Sequence, residues 1–317
     1  MAKTVLGVDL GGSHLAAAVV DVATGEISLR HELQLRDRSV DFVVESILAF
    51  ASQISQELEA KVDAIGIGSP GNVDTRDGIV RSSPNFGWRD APIGQAISSR
   101  SRADVRVMND ARCAAYGEYL YGSGRGARSF VLLTLGTGIG GGIVIDGALL
   151  MGNAMGAGEI GHHTIKAQGG FPCSCRRLGC FEAHASATGL LRHARMLEAS
   201  YPRSKLLHGD ATTIGSRVVQ EAAAAGEVHA VAAWNNYVDD LAVGVSNVIG
   251  FLDPEVIAIG GGVAGAGDFL IAELRERVAA RTVTVPPGRT TIVAADFLGD
   301  AGLVGAAAFA ANGVVHS

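Results

Sequence analysis

Apolar positions come in short runs between glycine turns at the start of the chain and at helical spacing farther on. Thr4 to Asp9 is a short β-type run closed by the turn Gly11-Gly12. Leu15 to Val22 and Ile27 to Leu35 predict two more strands. Between Asp41 and Leu58 the apolar residues Phe42, Val43, Ile47, Leu48, Ala51, Ile54 and Leu58 recur every three or four positions, which predicts an amphipathic helix. Ala64 to Gly68 predicts a buried strand stopped by Ser69-Pro70-Gly71, and Val105 to Met108 a further strand followed by a helix over 111–121. Strands in series followed by alternating helix and strand predict an α/β fold.

The second half opens in the same way. Phe130 to Leu135 predicts a strand, a glycine run follows, and Gly142 to Ile145 predicts another strand. Gly152 to Cys180 reads as loop, rich in Gly, His and Cys. Helices are predicted over 183–197, 212–225, 228–251, 269–280 and 301–311, with a strand at Val256–Ile259 ending in Gly260-Gly261-Gly262. The layout Asp9-Leu10-Gly11-Gly12-Ser13 is echoed by Leu135-Gly136-Thr137-Gly138-Ile139-Gly140. We therefore expect two similar α/β lobes with a cleft between them. The small lobe spans 1–115 and is completed by a helix within 300–317; the large lobe spans 116–299.

Composition narrows the class of function. A chain of 317 residues with 48% hydrophobic and 18% charged residues is globular and long enough for two domains. A net charge of −6 offers no basic face, so nucleic acid is not an expected partner. The N-terminus lacks the apolar stretch of a secretory signal, and no window reaches the ~18 unbroken apolar residues of a membrane helix. We expect a cytoplasmic protein. Three of the four cysteines fall within eight residues, which in a reducing compartment points to metal rather than disulfide.

The glycine turns and one acid carry the candidate chemistry. Gly11-Gly12-Ser13 lets backbone N–H groups approach an anion, Ser13 adds a hydroxyl, and Asp9 is placed to hold Mg²⁺ or its water. An ordinary hairpin turn would look the same. Five glycines within Gly136–Gly142 weaken a strand, and a phosphate cradle at Gly136, Thr137 and Gly138 is one reason to keep them. The run is not a P-loop, because no Gly-Lys-Ser/Thr follows. Gly260-Gly261-Gly262 would admit a flat ligand such as adenine, or be a plain strand-to-helix turn. Asp110 either caps the next helix or acts as a general base, with Asn109 bonding the same substrate. His162, Cys173, Cys175 and Cys180 suit a closed tetrahedral zinc site, and His163 competes with His162 as a ligand. Glu159 and Glu182 flank that cluster and suit sugar hydroxyls, or are solvated surface charge. Cys113 reads as a small buried residue.

Taken together, the motifs resemble those of the ROK family (repressors, open reading frames and kinases) within the actin-like ATPase superfamily. The resemblance runs from Gly7 to about Gly305 and rests on Asp9–Ser13, Leu135–Gly140, Gly158-Glu159-Ile160-Gly161-His162 and Cys173–Glu182. It implies two actin-like (ribonuclease H-like) lobes, Asp110 as catalytic base, and Asn109, Glu159, His162 and Glu182 as binders of sugar hydroxyls. Gly71 and Asn72 lie in a segment that resembles the sugar-side loop. Ser83–Trp88 resembles the segment that glucokinases of the family carry, and Gly260–Gly262 would face adenosine. Ser13-His14 stands where many relatives have Thr-Lys, and Cys175-Arg176-Arg177 replaces a commoner Cys-Gly.

The expected activity is Mg·ATP-dependent transfer of phosphate to a hexose, glucose first, with structural Zn²⁺ and a homodimer or higher homo-oligomer. N-acetylmannosamine, N-acetylglucosamine, mannose or fructose is the alternative substrate. A sugar-responsive repressor would need a DNA-binding segment before Asp9, and a silent sugar-binding module would not need Asp110 with two phosphate turns.

Overall fold

The computed structural model describes residues 3–208, 215–283, 285–297, 299–313 and 315–316. The chain opens with strands β1 (Val5–Leu10), β2 (His14–Val20) and β3 (Ile27–Gln34), helix α1 (Val40–Glu57), and strands β4 (Ala64–Ser69), β5 (Asn72–Asp74), β6 (Ile79–Ser83) and β7 (Trp88–Ala91). Helix α2 (Ile93–Ser101), strand β8 (Asp104–Asn109) and helix α3 (Asp110–Tyr121) follow. Then come β9 (Ser129–Leu135), β10 (Ile139–Ile145), β11 (Ala148–Leu150) and helices α4 (Phe181–Ala185), α5 (Ala187–Leu197), α6 (Ser216–Ala224) and α7 (Val228–Leu252). The chain closes with β12 (Val256–Gly260), α8 (Asp268–Arg281), β13 (Thr291–Ala294), α9 (Ala301–Asn312) and β14 (Val315–His316).

The α/β class expected from the alternation is present. Five strands lie in the order β3-β2-β1-β4-β8, with β1 antiparallel to β2 and parallel to β4, and β4 parallel to β8. A six-stranded sheet runs β13-β12-β9-β10-β11-β14. Read from β11 to β13, it has the chain order of the first sheet, so the echo between the two glycine turns is an echo of topology. By contact density the described chain divides into two compact units. The first comprises Met1–Leu132, Gly142–Gly158 and Asp296–Ser317, the second Leu133–Gly141 and Glu159–Ala295.

In the first unit, β1 and β4 are apolar along nearly their whole length, as strands covered on both faces must be. Helix α1 covers one side with Val43, Val44, Ile47, Ala51 and Ile54, and Ser39 caps its start by accepting from Phe42 N–H. Helix α9 covers the other side through Leu303, Val304 and Ala307. It comes so near that a Cβ on Gly66 would lie 1.8 Å from the Ala306 carbonyl oxygen, so a side chain there would force the helix off the sheet. In the second unit, helix α7 buries Trp234, Tyr237, Leu241, Val245 and Ile249, and Trp234 stacks on Phe269 at 4.9 Å.

The structure departs from the sequence reading at two places, and a third prediction is seen in part. The helix predicted over 183–197 is two helices, because Ser186 is extended and its hydroxyl starts a new helix by accepting from Gly189 N–H. The small sheet β5-β6-β7 was not anticipated: its strands are three to five residues long, too short to show a period. The helix predicted over 212–225 is seen as α6, and residues 212–214 lie outside the described residues.

Candidate active site

The parallel pairing of β1, β4 and β8 brings their carboxyl ends into register, with Asp9 opposite Gly68 and Ser69 opposite Asn109. Open α/β sheets bind ligands at such ends. Asn109 caps α3 by accepting from Arg112 N–H at 3.2 Å, while its amide nitrogen donates to the Gly71 carbonyl at 3.1 Å. The capping role that sequence alone offered to Asp110 thus falls to Asn109. Asp110 is the first helical residue, and its carboxylate accepts from Ala111 N–H at 2.8 Å. Gly71 has φ +107°, and a Cβ there would meet the Ser82 carbonyl oxygen at 2.2 Å, so the turn that delivers this carbonyl to Asn109 requires glycine. Asn72 is exposed at the start of β5, paired with Ser82.

Asp9 sits at the end of β1 with a quarter of its side chain exposed. Burial first and the Asp110 charge second push its carboxyl up to about 6, against the lowering pull of His14 and Arg30. The His14 ring nitrogen lies 3.9 Å away. A Cβ on Gly302, in the first turn of α9, would approach the Asp9 carboxylate to 3.2 Å, so glycine keeps that carboxylate accessible. Gly11 faces the His14 ring, whereas a Cβ on Gly12 would meet nothing within 4 Å, and Ser13 is exposed. Two electrostatically coupled acids near an open glycine turn could accommodate a cation and a polyanion.

The second unit holds the other glycine turns and the cysteine loop. Gly136 and Gly262 face open space, and Thr137 is exposed. Gly261 is left-handed, φ +82°, and packs on the Leu135 backbone, directly after Gly260 ends β12. The Gly136–Gly138 turn is tied down from outside: Ala187 N–H donates to the Gly136 carbonyl at 2.8 Å and the Thr188 hydroxyl to the Thr137 carbonyl at 2.9 Å. Ile139 N–H, just past the turn, donates to Glu182 at 3.1 Å. The other Glu182 oxygen accepts from the Ser174 hydroxyl at 3.0 Å, so this acid stitches the glycine turn to the cysteine loop. Glu159 is exposed and precedes the single helical turn Ile160–His162.

His162, Cys173, Cys175 and Cys180 come together with their ligand atoms all within 4.8 Å of one another. The Cys175 and Cys180 sulfurs are 3.6 Å apart, and Cys173 Sγ lies 3.7 Å from His162 Nδ1. Tetrahedral bonds of about 2.3 Å place sulfurs roughly 3.8 Å apart, so the four residues could hold a zinc-sized ion. His163 is not in the group: its ring packs on Phe181, its Nδ1 bonds to the Ile160 carbonyl, and burial lowers its pKa. Sequence reasoning missed Ser174, Thr188 and Gly302, each of which acts through one contact at one place in the fold and carries no spacing signal.

The sequence profile of the ROK family matches residues 5–312. The chain is 36% identical over 310 residues to a glucokinase of Halalkalibacterium halodurans, covering 95% of this chain and 92% of that one. It is 36% identical over 305 residues to a glucokinase of Thermotoga maritima, covering 95% of both. Its structure is similar, with a TM-score of 0.82 and 33% identity over 98% of this chain and 100% of the other, to a ROK family glucokinase from Streptomyces griseus in complex with glucose and AMPPNP. On these grounds the chain belongs to the ROK family.

Proposed function

We propose that this protein is an ATP-dependent glucokinase that transfers the terminal phosphoryl group of ATP to glucose. The observation that carries the reading is similarity to glucokinases along nearly the whole chain, including a structure solved with glucose and an ATP analogue. The residues fit the chemistry. Asp110, at the carboxyl end of β8, accepts the proton of the attacking hydroxyl. Asn109 and Asn72 supply donors and acceptors for sugar hydroxyls, beside the Gly71 turn that Asn109 fixes. Glu159, His162 and Glu182 are the further hydroxyl-binding residues of this reading. The backbone N–H groups of Gly11, Gly12, Ser13 and of Gly136, Thr137, Gly138 hold phosphates, and Gly260–Gly262 borders the adenosine. Asp9 holds Mg²⁺, whose charge neutralises the phosphates. His162, Cys173, Cys175 and Cys180 hold Zn²⁺, which supplies a rigid anchor for a loop with little core of its own.

We further infer a cytoplasmic protein that forms a homodimer or higher homo-oligomer, whose assembly light scattering would test. No described helix is long and apolar enough to cross a membrane. ADP release measured with Mg·ATP and glucose, mannose, fructose, N-acetylglucosamine or N-acetylmannosamine tests the substrate. Glucose is expected to give the highest kcat/KM, and a preference for an acetylated sugar would replace it while keeping the kinase.

A further inference from the structure

Behind the cysteine loop lies a second, fully buried group, made by His184 on α4, His193 on α5 and Asp240 on α7. His184 Nδ1 and His193 Nε2 lie 3.0 and 3.3 Å from one Asp240 oxygen, and Lys166 Nζ lies 2.9 Å from the same oxygen. The group is not a second metal site. Phe171 N–H donates to His184 Nε2 at 2.9 Å, so that nitrogen carries the lone pair and the proton sits on Nδ1, facing Asp240. A metal on Nδ1 would move the proton to Nε2 and set two donors against each other, and it would face the Lys166 ammonium.

The arrangement does something else. Asp240 fixes the His184 tautomer, and His184 then holds the backbone of Phe171, whose ring stacks on the imidazole at 4.4 Å. Phe171 is two residues before Cys173, and its carbonyl accepts from Gly179 N–H, next to Cys180. Lys166 reaches Asp240 with its side chain while its own N–H bonds to the Gly179 carbonyl. Arg192, beside His193 on α5, donates to the Pro172 carbonyl at 2.7 Å. Both segments that carry cysteines are thus tied to one buried carboxylate on α7.

We propose that His184, held by Asp240, is a positioning residue that sets the geometry of the metal loop and, through it, hexose binding. The hexose part rests on the glucokinase reading; the loop part does not.

The test compares wild type, His184→Phe, which keeps the ring stack and removes the acceptor, and His184→Gln, which can restore acceptor and donor. Zinc release to a chromogenic chelator and separate KM values for glucose and ATP are measured on zinc-loaded protein. His184→Phe should release zinc about tenfold faster and raise the glucose KM about tenfold, the size of effect seen for groups that orient metal ligands, and raise the ATP KM by clearly less. His184→Gln should recover most of both. Wild-type release and glucose KM in folded His184→Phe overturn the proposal. So does an equal rise of both KM values without recovery in His184→Gln, which marks a merely structural role, or wild-type protein that takes up no zinc. Should His184→Phe not fold, Lys166→Met carries the same expectations at smaller size, and wild-type values there overturn the proposal. Wild type that turns over no glucose would remove the hexose part, while zinc release still decides the loop part.

Discussion

Asp9 and Asp240 are both largely withdrawn from water, and their surroundings are opposite. Among the described residues no hydrogen bond reaches the Asp9 carboxylate; burial and the neighbouring Asp110 push it up to about 6. Asp240 is 7% exposed and takes two imidazoles and an ammonium on one oxygen. Burial opposes its ionisation, but those three partners outweigh it and hold the carboxyl well below the usual carboxylate range. On the proposed reading, a half-buried acid short of hydrogen-bond partners is the one available to a cation that arrives with substrate. A buried acid saturated with partners is spent on shape, because removing it leaves the Lys166 ammonium and the His184 N–H without their acceptor.

On the proposed reading, the largest expected effect comes from zinc at His162, Cys173, Cys175 and Cys180. Structural zinc in small loops carries on the order of 10 kcal/mol of apparent binding energy, most of it folding energy. Chelation should therefore release the segment Ile165–Cys180, read as loss of amide protection at Phe171, Cys173 and Gly179, whose N–H groups are bonded within the loop or to His184. Unchanged protection after metal removal would mean that the hydrogen bonds to His184 and Asp240 suffice alone.

The next effect breaks the saturated acid. Asp240→Asn should cost about 3 kcal/mol, as removal of one partner of a buried ion pair does. Because the folded-state pKa of Asp240 is depressed, its contribution is present above the unfolded value near 4 and is lost as pH falls below it. Denaturation across that range should show the wild type losing stability toward acid and Asp240→Asn losing less. Equal slopes would contradict the assignment.

Asp9 gives the smaller effect and the opposite sign. Its folded pKa is raised from 3.8 to about 6, so the native state binds the extra proton and stability falls as pH rises between those values. The loss by neutral pH is about 2 kcal/mol, discounted for the quarter of the side chain that water still reaches. Without Mg²⁺, Asp9→Asn should be more stable than wild type at pH 7 and equal to it near pH 4. A variant less stable at pH 7 would show that Asp9 already has its partner in the fold.

The alternation of strands and helices was legible because buried strands and amphipathic helices have their own periods, as β4 and α1 show. The clustering of His162 with the three cysteines was legible from their spacing, whereas the glycine runs also have packing reasons that the sequence did not show: a Cβ on Gly142 would meet Ala115 at 2.3 Å and one on Gly138 would meet Glu182 at 2.3 Å. What was not legible depends on contacts across long separations. Asn109, not Asp110, caps α3, a choice set by backbone angles. Between His162 and His163 the sequence offered no decision; the turn at Ile160 sends the second ring against Phe181. Asp240 left a faint signal, an acid within a long apolar helix. Its partners lie 47 to 74 positions away and could be found only in the fold.

The base assignment to Asp110 is the center of the account, and Asp110→Asn tests it most directly when glucose binding and ADP release are followed on the same protein. We expect glucose affinity within a fewfold of wild type and turnover lower by about 10³, within the range for loss of a general base. Turnover near the wild-type rate, with glucose bound normally, would contradict the account.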